Sequence, residues 1–496
     1  MSLKYESTRD NRVNVRPSEA VVKGLSDDGG LFVPREIDGL GLDIKEMCSL
    51  NFHETAKKVL SLFFTDFSEE QINDSVMKAY DSKFDDPEIV PVKKVGETYI
   101  MELFHGSTIA FKDIALSILP HLMKKAQSNC RMKEEIVILT ATSGDTGKAA
   151  LEGFKDVEGT QIIVFYPNDG VSKVQEMQML TTDGANTHVV AVEGNFDDAQ
   201  SAVKAIFNDQ DLRAKLSAKG MKFSSANSIN IGRLVPQISY YFSTYADMVK
   251  KDQIKLGDKI NFVIPTGNFG NILAGYFAKT LGLPVGKLIC AANENNVLYD
   301  FLNTGVYDIN RDFKKTMSPS MDILISSNLE RLLYFMSDKD NAYVAELMDQ
   351  LKKNKKYEVT DEIKAKIKDQ FWSSYCSESD TSQTVKKVYE EEGYLLDTHT
   401  AVAYKVYEDY VKATDDESKS VILSTASPFK FTGSVYKALF GQTETDELNL
   451  IAELSHQTGI EVPKQIEGLG DRKILHKRFC RPQTMPNEIL NILDEK

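Results

Sequence analysis

Between residues 133 and 296 the chain alternates short apolar runs with amphipathic ones, a rhythm that restricts the fold more than any other feature. Glu135-Ile136-Val137-Ile138-Leu139-Thr140 reads as a buried strand rich in β-branched residues, and a Gly-rich turn leads from it into a helix over 147–155. The pattern repeats with a strand at 162–165 closed by Pro167, a helix over 171–180, a strand at 188–192 and a helix over 196–207 with Asn195 as its N-cap. A strand at 260–264 then passes through a second Gly-rich turn into a helix over 272–280, and 288–291 is another strand. This order predicts an open, mostly parallel sheet with helices on both faces. Ligands bind such folds at the carboxyl ends of the strands, so the strand-to-helix turns are where chemistry is expected. Outside this region, 1–90 lacks the rhythm and reads as mostly helical after Asp43, while 310–392 reads as polar and helical. Val421-Ile422-Leu423 marks a late strand that returns to the sheet.

With 496 residues the chain is too long for one compact core, so two or three domains are expected. The net charge of −14 is spread along the chain and repels nucleic acid and anionic lipid, which excludes both as expected partners. An anionic substrate would therefore need a local basic pocket. Cys48, Cys130, Cys290, Cys376 and Cys480 are far apart and form no CxxC pair, so neither a disulfide framework nor a zinc site is expected. The histidines never fall in HExxH spacing, and no metal is expected. No apolar signal core lies in 1–10, and no apolar run reaches bilayer length. The expected setting is the reduced cytoplasm. Lys352, Lys353, Lys355 and Lys356 read as a solvated helix face or loop rather than a binding patch.

Four stretches carry candidate chemistry. In Phe104-His105-Gly106-Ser107-Thr108-Ile109-Ala110-Phe111-Lys112-Asp113 a strand ends, a Gly turn follows and a helix begins near Phe111. Phe111 and Ile114 flank Lys112 and strip part of its water, which favours the neutral amine that attacks an aldehyde. A lone first-turn lysine more often snorkels to solvent, so the other stretches decide. Thr140-Ala141-Thr142-Ser143-Gly144-Asp145-Thr146-Gly147 offers backbone N–H groups and hydroxyls at a helix N-terminus, a cradle for carboxylate or phosphate. It is not a nucleotide P-loop, because Gly144 and Gly147 are too close and Ala149 stands where Ser or Thr is required. Pro265-Thr266-Gly267-Asn268-Phe269-Gly270-Asn271 is a second cradle whose glycines let the backbone approach a phosphate. Ser224 to Arg233 is dense in polar groups; Asn227 or Ser228 is expected to cap the aromatic helix that follows, and Arg233 is the nearest fixed cation.

These residues resemble a known family. Phe104 to Asp113 looks like the cofactor-lysine motif of threonine synthase, a fold-type II (tryptophan synthase β-like) pyridoxal-phosphate enzyme. Ala141 to Gly147 resembles its substrate loop, and Gly267-Asn268-Phe269-Gly270-Asn271 resembles its cofactor-phosphate loop. Gly24-Leu25-Ser26-Asp27-Asp28-Gly29-Gly30-Leu31-Phe32-Val33-Pro34 is similar to the family's opening signature. Ser318 to Arg331 is similar to a segment of the longer fungal and enterobacterial branch, and Asp397-Thr398-His399-Thr400-Ala401 and Ser424-Thr425-Ala426-Ser427-Pro428 also match. Ser107 stands where the family usually has proline, and Lys148 where a small residue is common. The extended N-terminal regulatory region of plant members is not expected, nor is activation by adenosylmethionine.

The resemblance implies an α/β, fold-type II enzyme: two open, mostly parallel sheet domains flanking a cofactor cleft, plus an N-terminal, largely helical domain. The expected division is 1–90, a small mobile α/β domain at 134–258, and a large pyridoxal-phosphate domain combining 91–133 with 259–496. Lys112 would carry pyridoxal 5'-phosphate as a Schiff base, the loop Gly267, Asn268, Phe269, Gly270 and Asn271 would hold its phosphate, and Thr425 would face the pyridine nitrogen. Ser143, Asp145 and Thr146 would hold the substrate carboxylate, with Asn227, Ser228 and Arg233 orienting the far end. Arg233, Lys173 and Lys148 all remain open as the cation for a substrate phosphate. The implied reaction is O-phospho-L-homoserine plus water to L-threonine plus phosphate, in a monomer or homodimer. Its rivals are a phospho-lyase or dehydratase of the same fold releasing 2-oxobutyrate, and a catalytically inactive pyridoxal-phosphate-binding homologue.

Overall fold

The computed structural model describes residues 3–495 apart from Asp38, Ser143 and Asp169, with the backbone alone described for Phe196 and Asp197. Its larger sheet has six strands in the order Phe371–Tyr375, Val285–Ala292, Ile260–Pro265, Ser420–Ser424, Thr98–Glu102 and Val92–Val95. All neighbours pair in parallel except the last two, which form an antiparallel hairpin edge. A strand buried on both faces must be apolar throughout, and side-chain alternation then decides which layer each residue joins. Ile100, Val263, Ile289 and Ile422 face the helix Thr398–Thr414, whose Val402 and Val406 fill the space between. Tyr99, Met101, Phe262, Ile264 and Leu423 point the other way, into a core shared with the N-terminal helices.

The smaller sheet is wholly parallel, in the order Arg478–Cys480, Thr187–Val192, Thr160–Pro167, Glu135–Ala141 and Met221–Ser224. Asn195 caps the helix Phe196–Asn208 as expected, accepting the Asp198 N–H at 3.0 Å.

Two expectations change. The strand Arg478–Cys480 and the helix Met485–Asp494 lie with the smaller sheet, where Met485, Ile489 and Ile492 pack on Val137 and Val190. The division that gave 259–496 entirely to the larger domain is therefore wrong at its C-terminus: a one-sided apolar helix goes where an uncovered sheet face can bury it. Conversely, the helix Ile238–Lys250, placed in 134–258, packs against Phe52–Phe63 and Gly270–Thr280. Its tyrosines explain this, because the Tyr241 ring meets Phe262 edge-on and its hydroxyl donates to the Asn271 carbonyl at 2.9 Å. The N-terminal part is helical after Asp43 as expected, and ahead of that Tyr5–Ser7 pairs antiparallel with both Asp10–Val15 and Phe32–Pro34. Beside that small sheet, the helix Phe52–Phe63 turns Phe52, Ala56, Val59, Leu60 and Phe63 inward, and Phe63 stacks on Phe277.

Candidate active site

Four turns converge at the carboxyl ends of both sheets. Thr98–Glu102 leads to Lys112, Ser420–Ser424 to Thr425, Ile260–Pro265 to the Gly267 turn, and Glu135–Ala141 to Asp145. Lys112 opens the helix Lys112–Leu116. The turn before it is pinned by Asp113, whose carboxylate accepts the Thr108 N–H at 2.8 Å and the Thr108 hydroxyl at 2.7 Å. A Cβ on Gly106 would meet that carboxyl at 2.6 Å, so only glycine fits. Ile109 adopts φ 53°, a strained value for a β-branched residue. Its neighbours hold it there: Phe111 N–H donates to the Thr425 carbonyl at 2.8 Å, and Ala110 bridges Ala426. Lys112 and Thr425 are thus fixed to one junction.

The Lys112 amine is buried, 3.2 Å from Asp145 Oδ2 and 3.2 Å from Ser320 Oγ. Ser320 Oγ in turn donates to Asp145 Oδ2 at 2.7 Å. Burial drives the Lys112 pKa below its ordinary value; Asp145 opposes this, and Arg233 and Lys430 add to it. Burial alone would raise the Asp145 pKa, but Lys112 and Lys430 outweigh it and hold the carboxyl far below its usual range. Asp145 begins the helix Asp145–Phe154, whose entry is closed by Thr142 Oγ1 accepting the N–H groups of Gly144 and Gly147, both at 2.9 Å. Thr146 follows in the same first turn, half-buried. Ser143 lies outside the described residues.

The turn Gly267 to Asn271 runs into the helix Gly270–Thr280 with Phe269 left-handed at φ 61°. Ser326 Oγ donates to the Gly267 carbonyl at 2.7 Å, and Asn328 Nδ2 donates to the Asn268 carbonyl at 3.0 Å. A Cβ on Gly267 would lie 2.7 Å from the Ser320 carbonyl, so this glycine lets the turn press against the segment carrying Ser320. Asn328 also donates to the Ser228 carbonyl at 3.2 Å, which joins the fourth stretch to the Gly267 turn. Asn227 and Ser228 are half-buried, and neither caps the next helix. Asn230 does so, its Oδ1 accepting the Gly232 N–H at 2.9 Å, because it alone stands directly before Ile231–Leu234. Arg233 is buried, and one nitrogen donates to the Ala226 carbonyl at 3.0 Å. Of the other cations considered, Lys148 is turned to Thr182 and Glu152, and Lys173 pairs with Glu176 at the surface.

Several site residues carried no assigned role in the sequence reading. Ser320 is held by its N–H donating to His399 Nε2 at 3.1 Å, while Nδ1 of that ring meets Asp397 Oδ1 at 3.0 Å. An accepting Nε2 places the ring proton on Nδ1. Gln175 Nε2 donates to Asp145 Oδ1 at 2.7 Å, and Lys430, fully buried, lies 3.4 Å from the same oxygen. Ser320 and His399 fall within stretches quoted for the resemblance, and Lys430 lies two residues beyond Pro428. That proximity was the one signal available.

Residues 4–80 match the family model described as threonine synthase N terminus, 91–427 the one described as pyridoxal-phosphate dependent enzyme, and 400–476 the one described as threonine synthase, C-terminal. Threonine synthase of Pseudomonas aeruginosa is 37% identical over 442 residues, covering 89% of this chain and 91% of that protein. The chain belongs to the threonine synthase family. Threonine synthase-like 1 of Macaca fascicularis is 39% identical over 472 residues, covering 91% of this chain, and the chain spans 63% of that relative's length. The structure of pyridoxal-phosphate-bound threonine synthase from Brucella melitensis superimposes with a TM-score of 0.86 at 34% identity, covering 100% of this chain and 98% of that one.

The residues present fit the cofactor of this family. Among the described residues, the main-chain N–H groups of Gly267 to Gly270 donate to no partner, and Asn271 Nδ2 is buried without a hydrogen bond. Unpaired donors at a helix N-terminus suit a phosphate group, and a buried lysine of lowered pKa suits attachment to an aldehyde. No group of three or more potential metal ligands occurs among the described residues, and no helix there is long and apolar enough to cross a membrane.

Proposed function

We propose that this chain converts O-phospho-L-homoserine and water into L-threonine and phosphate, using pyridoxal 5'-phosphate held by Lys112. The observation that carries the reading is the Lys112 amine, buried 3.2 Å from both Asp145 and Ser320 at the mouth of the Gly267 turn. When bound, the cofactor supplies an electron sink for the carbanion left when a proton departs next to the amino group.

The other contributions come from the chain. Lys112, once freed by the substrate amine, is the base that takes the proton from Cα and returns protons at the adjacent carbons. Asp145 stays ionised beside it and orients the amine. Ser320 bridges the two, accepting from the Lys112 amine and donating to Asp145, and so fixes the direction of the amine. Gly267 to Asn271 would hold the cofactor phosphate, and Thr425 would meet the pyridine nitrogen with a neutral hydroxyl. The main-chain N–H groups and hydroxyls of the loop carrying Ser143, Asp145 and Thr146 would take the substrate carboxylate, the ionised Asp145 side chain being committed to Lys112 and Ser320. Arg233 is the cation we assign to the substrate phosphate, since Lys148 and Lys173 are committed to Glu152 and Glu176. Asn227 and Ser228 would shape the same end of the pocket. We place the enzyme in the cytoplasm, as a monomer or homodimer.

The test is product analysis after mixing protein, pyridoxal phosphate and O-phospho-L-homoserine. Threonine formed in step with phosphate is the expected result. Phosphate accompanied by 2-oxobutyrate without threonine would make the chain a lyase of the same fold.

A further inference from the structure

We propose that Lys430 is a positioning residue for this reaction, keeping the Asp145 carboxylate charged and aimed at Lys112 whatever charge Lys112 carries. Asp145 is shared between two lysines. Its Oδ2 accepts Ser320 Oγ at 2.7 Å and Lys112 at 3.2 Å, while its Oδ1 accepts Gln175 at 2.7 Å and lies 3.4 Å from Lys430. Lys430 is fully buried on the turn Pro428–Phe431. Its ammonium also donates to the Thr108 carbonyl at 2.8 Å and to Gln178 Oε1 at 3.1 Å. Two hydrogen bonds and the ion pair to Asp145 thus hold the ammonium inward, and Lys430 acts through Asp145.

The need for such a residue follows from the chemistry assigned to Lys112. Whenever Lys112 is deprotonated or covalently occupied, it no longer offers Asp145 a positive charge. A buried carboxylate left with hydroxyl and amide donors alone would take up a proton. Lys430 counters this, because its ammonium takes no part in the reaction and lies 3.4 Å from Asp145 Oδ1 whatever Lys112 is doing. The charged and titratable groups facing Asp145 are Lys112, Lys430 and His399, and Lys112 also faces Arg233. Lys430 further joins three separate segments, the turn before Lys112, the helix Lys173–Leu180 and the Asp145 loop.

This inference rests on the reading of the cleft given above, so its test includes a measurement that needs no substrate. Apo-protein is titrated with pyridoxal phosphate at a series of pH values, and covalent attachment is followed by absorbance. Lys430→Met removes a cation from beside Lys112, and the attachment midpoint is expected to move up by about one pH unit. With O-phospho-L-homoserine, kcat for phosphate release is expected to fall about tenfold with KM little changed, and Lys430→Arg to restore part of the loss. A Lys430→Met protein with the wild-type midpoint and kcat, even if it melts earlier, would reduce Lys430 to a structural ion pair and overturn the proposal. Should Lys430→Met fail to fold, Asp145→Asn is compared with Asp145→Asn/Lys430→Met, which removes the buried pair together. Values of kcat within about threefold of each other support action through Asp145, and a further tenfold loss contradicts it.

Discussion

The Ser320 hydroxyl sits 3.2 Å from the Lys112 amine and 2.7 Å from Asp145 Oδ2, closing a buried triangle of amine, hydroxyl and carboxylate. The segment that carries Ser320 is also the one against which Gly267 packs without a side chain. One short stretch therefore supports both the reactive lysine and the turn assigned to the cofactor phosphate.

Ser320→Ala removes the hydroxyl and leaves the His399 contact, which is made by the Ser320 main chain. Turnover is expected to fall about tenfold, with KM changed far less. Steady-state phosphate release measures both, and an unchanged kcat would show that Ser320 does not position the Lys112 amine.

Lys112→Ala deletes the amine itself. Phosphate release is expected to fall at least about a thousandfold while circular dichroism shows the fold intact. A near-normal rate would sink the assignment of the base.

Arg331 is buried and donates to the carbonyls of Phe32, at 3.0 Å, and Ile229, at 2.6 Å, and to Asn328 Oδ1. It thereby ties the N-terminal sheet to the stretch before Arg233 and to the residue that braces the Gly267 turn. Arg331→Met leaves three buried acceptors unpaired and is expected to destabilise the protein by about 3 kcal/mol or more. Cofactor affinity should weaken with it. Urea unfolding and a pyridoxal-phosphate titration report the two effects, and a loss under about 0.5 kcal/mol would contradict the role.

His105 lies between Asp85, at 2.6 Å, and Glu102, at 3.0 Å. Burial lowers its pKa, but the two carboxylates win and raise it from 6.5 to about 9. A raised pKa in the folded state means stability that is complete below pH 6.5 and lost as pH climbs through about 9. His105→Gln should flatten the decline in melting temperature across that window. A wild-type slope in the variant would show that other groups set it.

The Asp145 and Gly267 turns were legible in the sequence because each follows a strand rich in β-branched residues and combines glycine with hydroxyl or amide side chains. Lys112, Asp145, Arg233 and the Gly267 turn accordingly appear at neighbouring strand ends. Ser320 was not legible as a partner, since it meets Lys112 across 208 residues of sequence and lies on an irregular segment with no periodicity. Lys430 reaches Gln178 across 252 residues, and nothing local marks a lysine as buried. The N-terminal sheet escaped for a related reason: Tyr5–Ser7 and Phe32–Pro34 are three residues each, too short for alternation to declare a strand. Arg478–Cys480 is equally short, and only pairing with Thr187–Val192 makes it a strand.

The most direct measurement is the fate of oxygen when O-phospho-L-homoserine is turned over in water enriched in the heavy isotope. The account requires the Cγ–O bond to break and solvent water to supply the hydroxyl at Cβ. Threonine should therefore carry one heavy oxygen, and the phosphate released with it none. Heavy oxygen in the phosphate, with homoserine as the other product, would mean cleavage of the P–O bond and would contradict the assignment of this cleft.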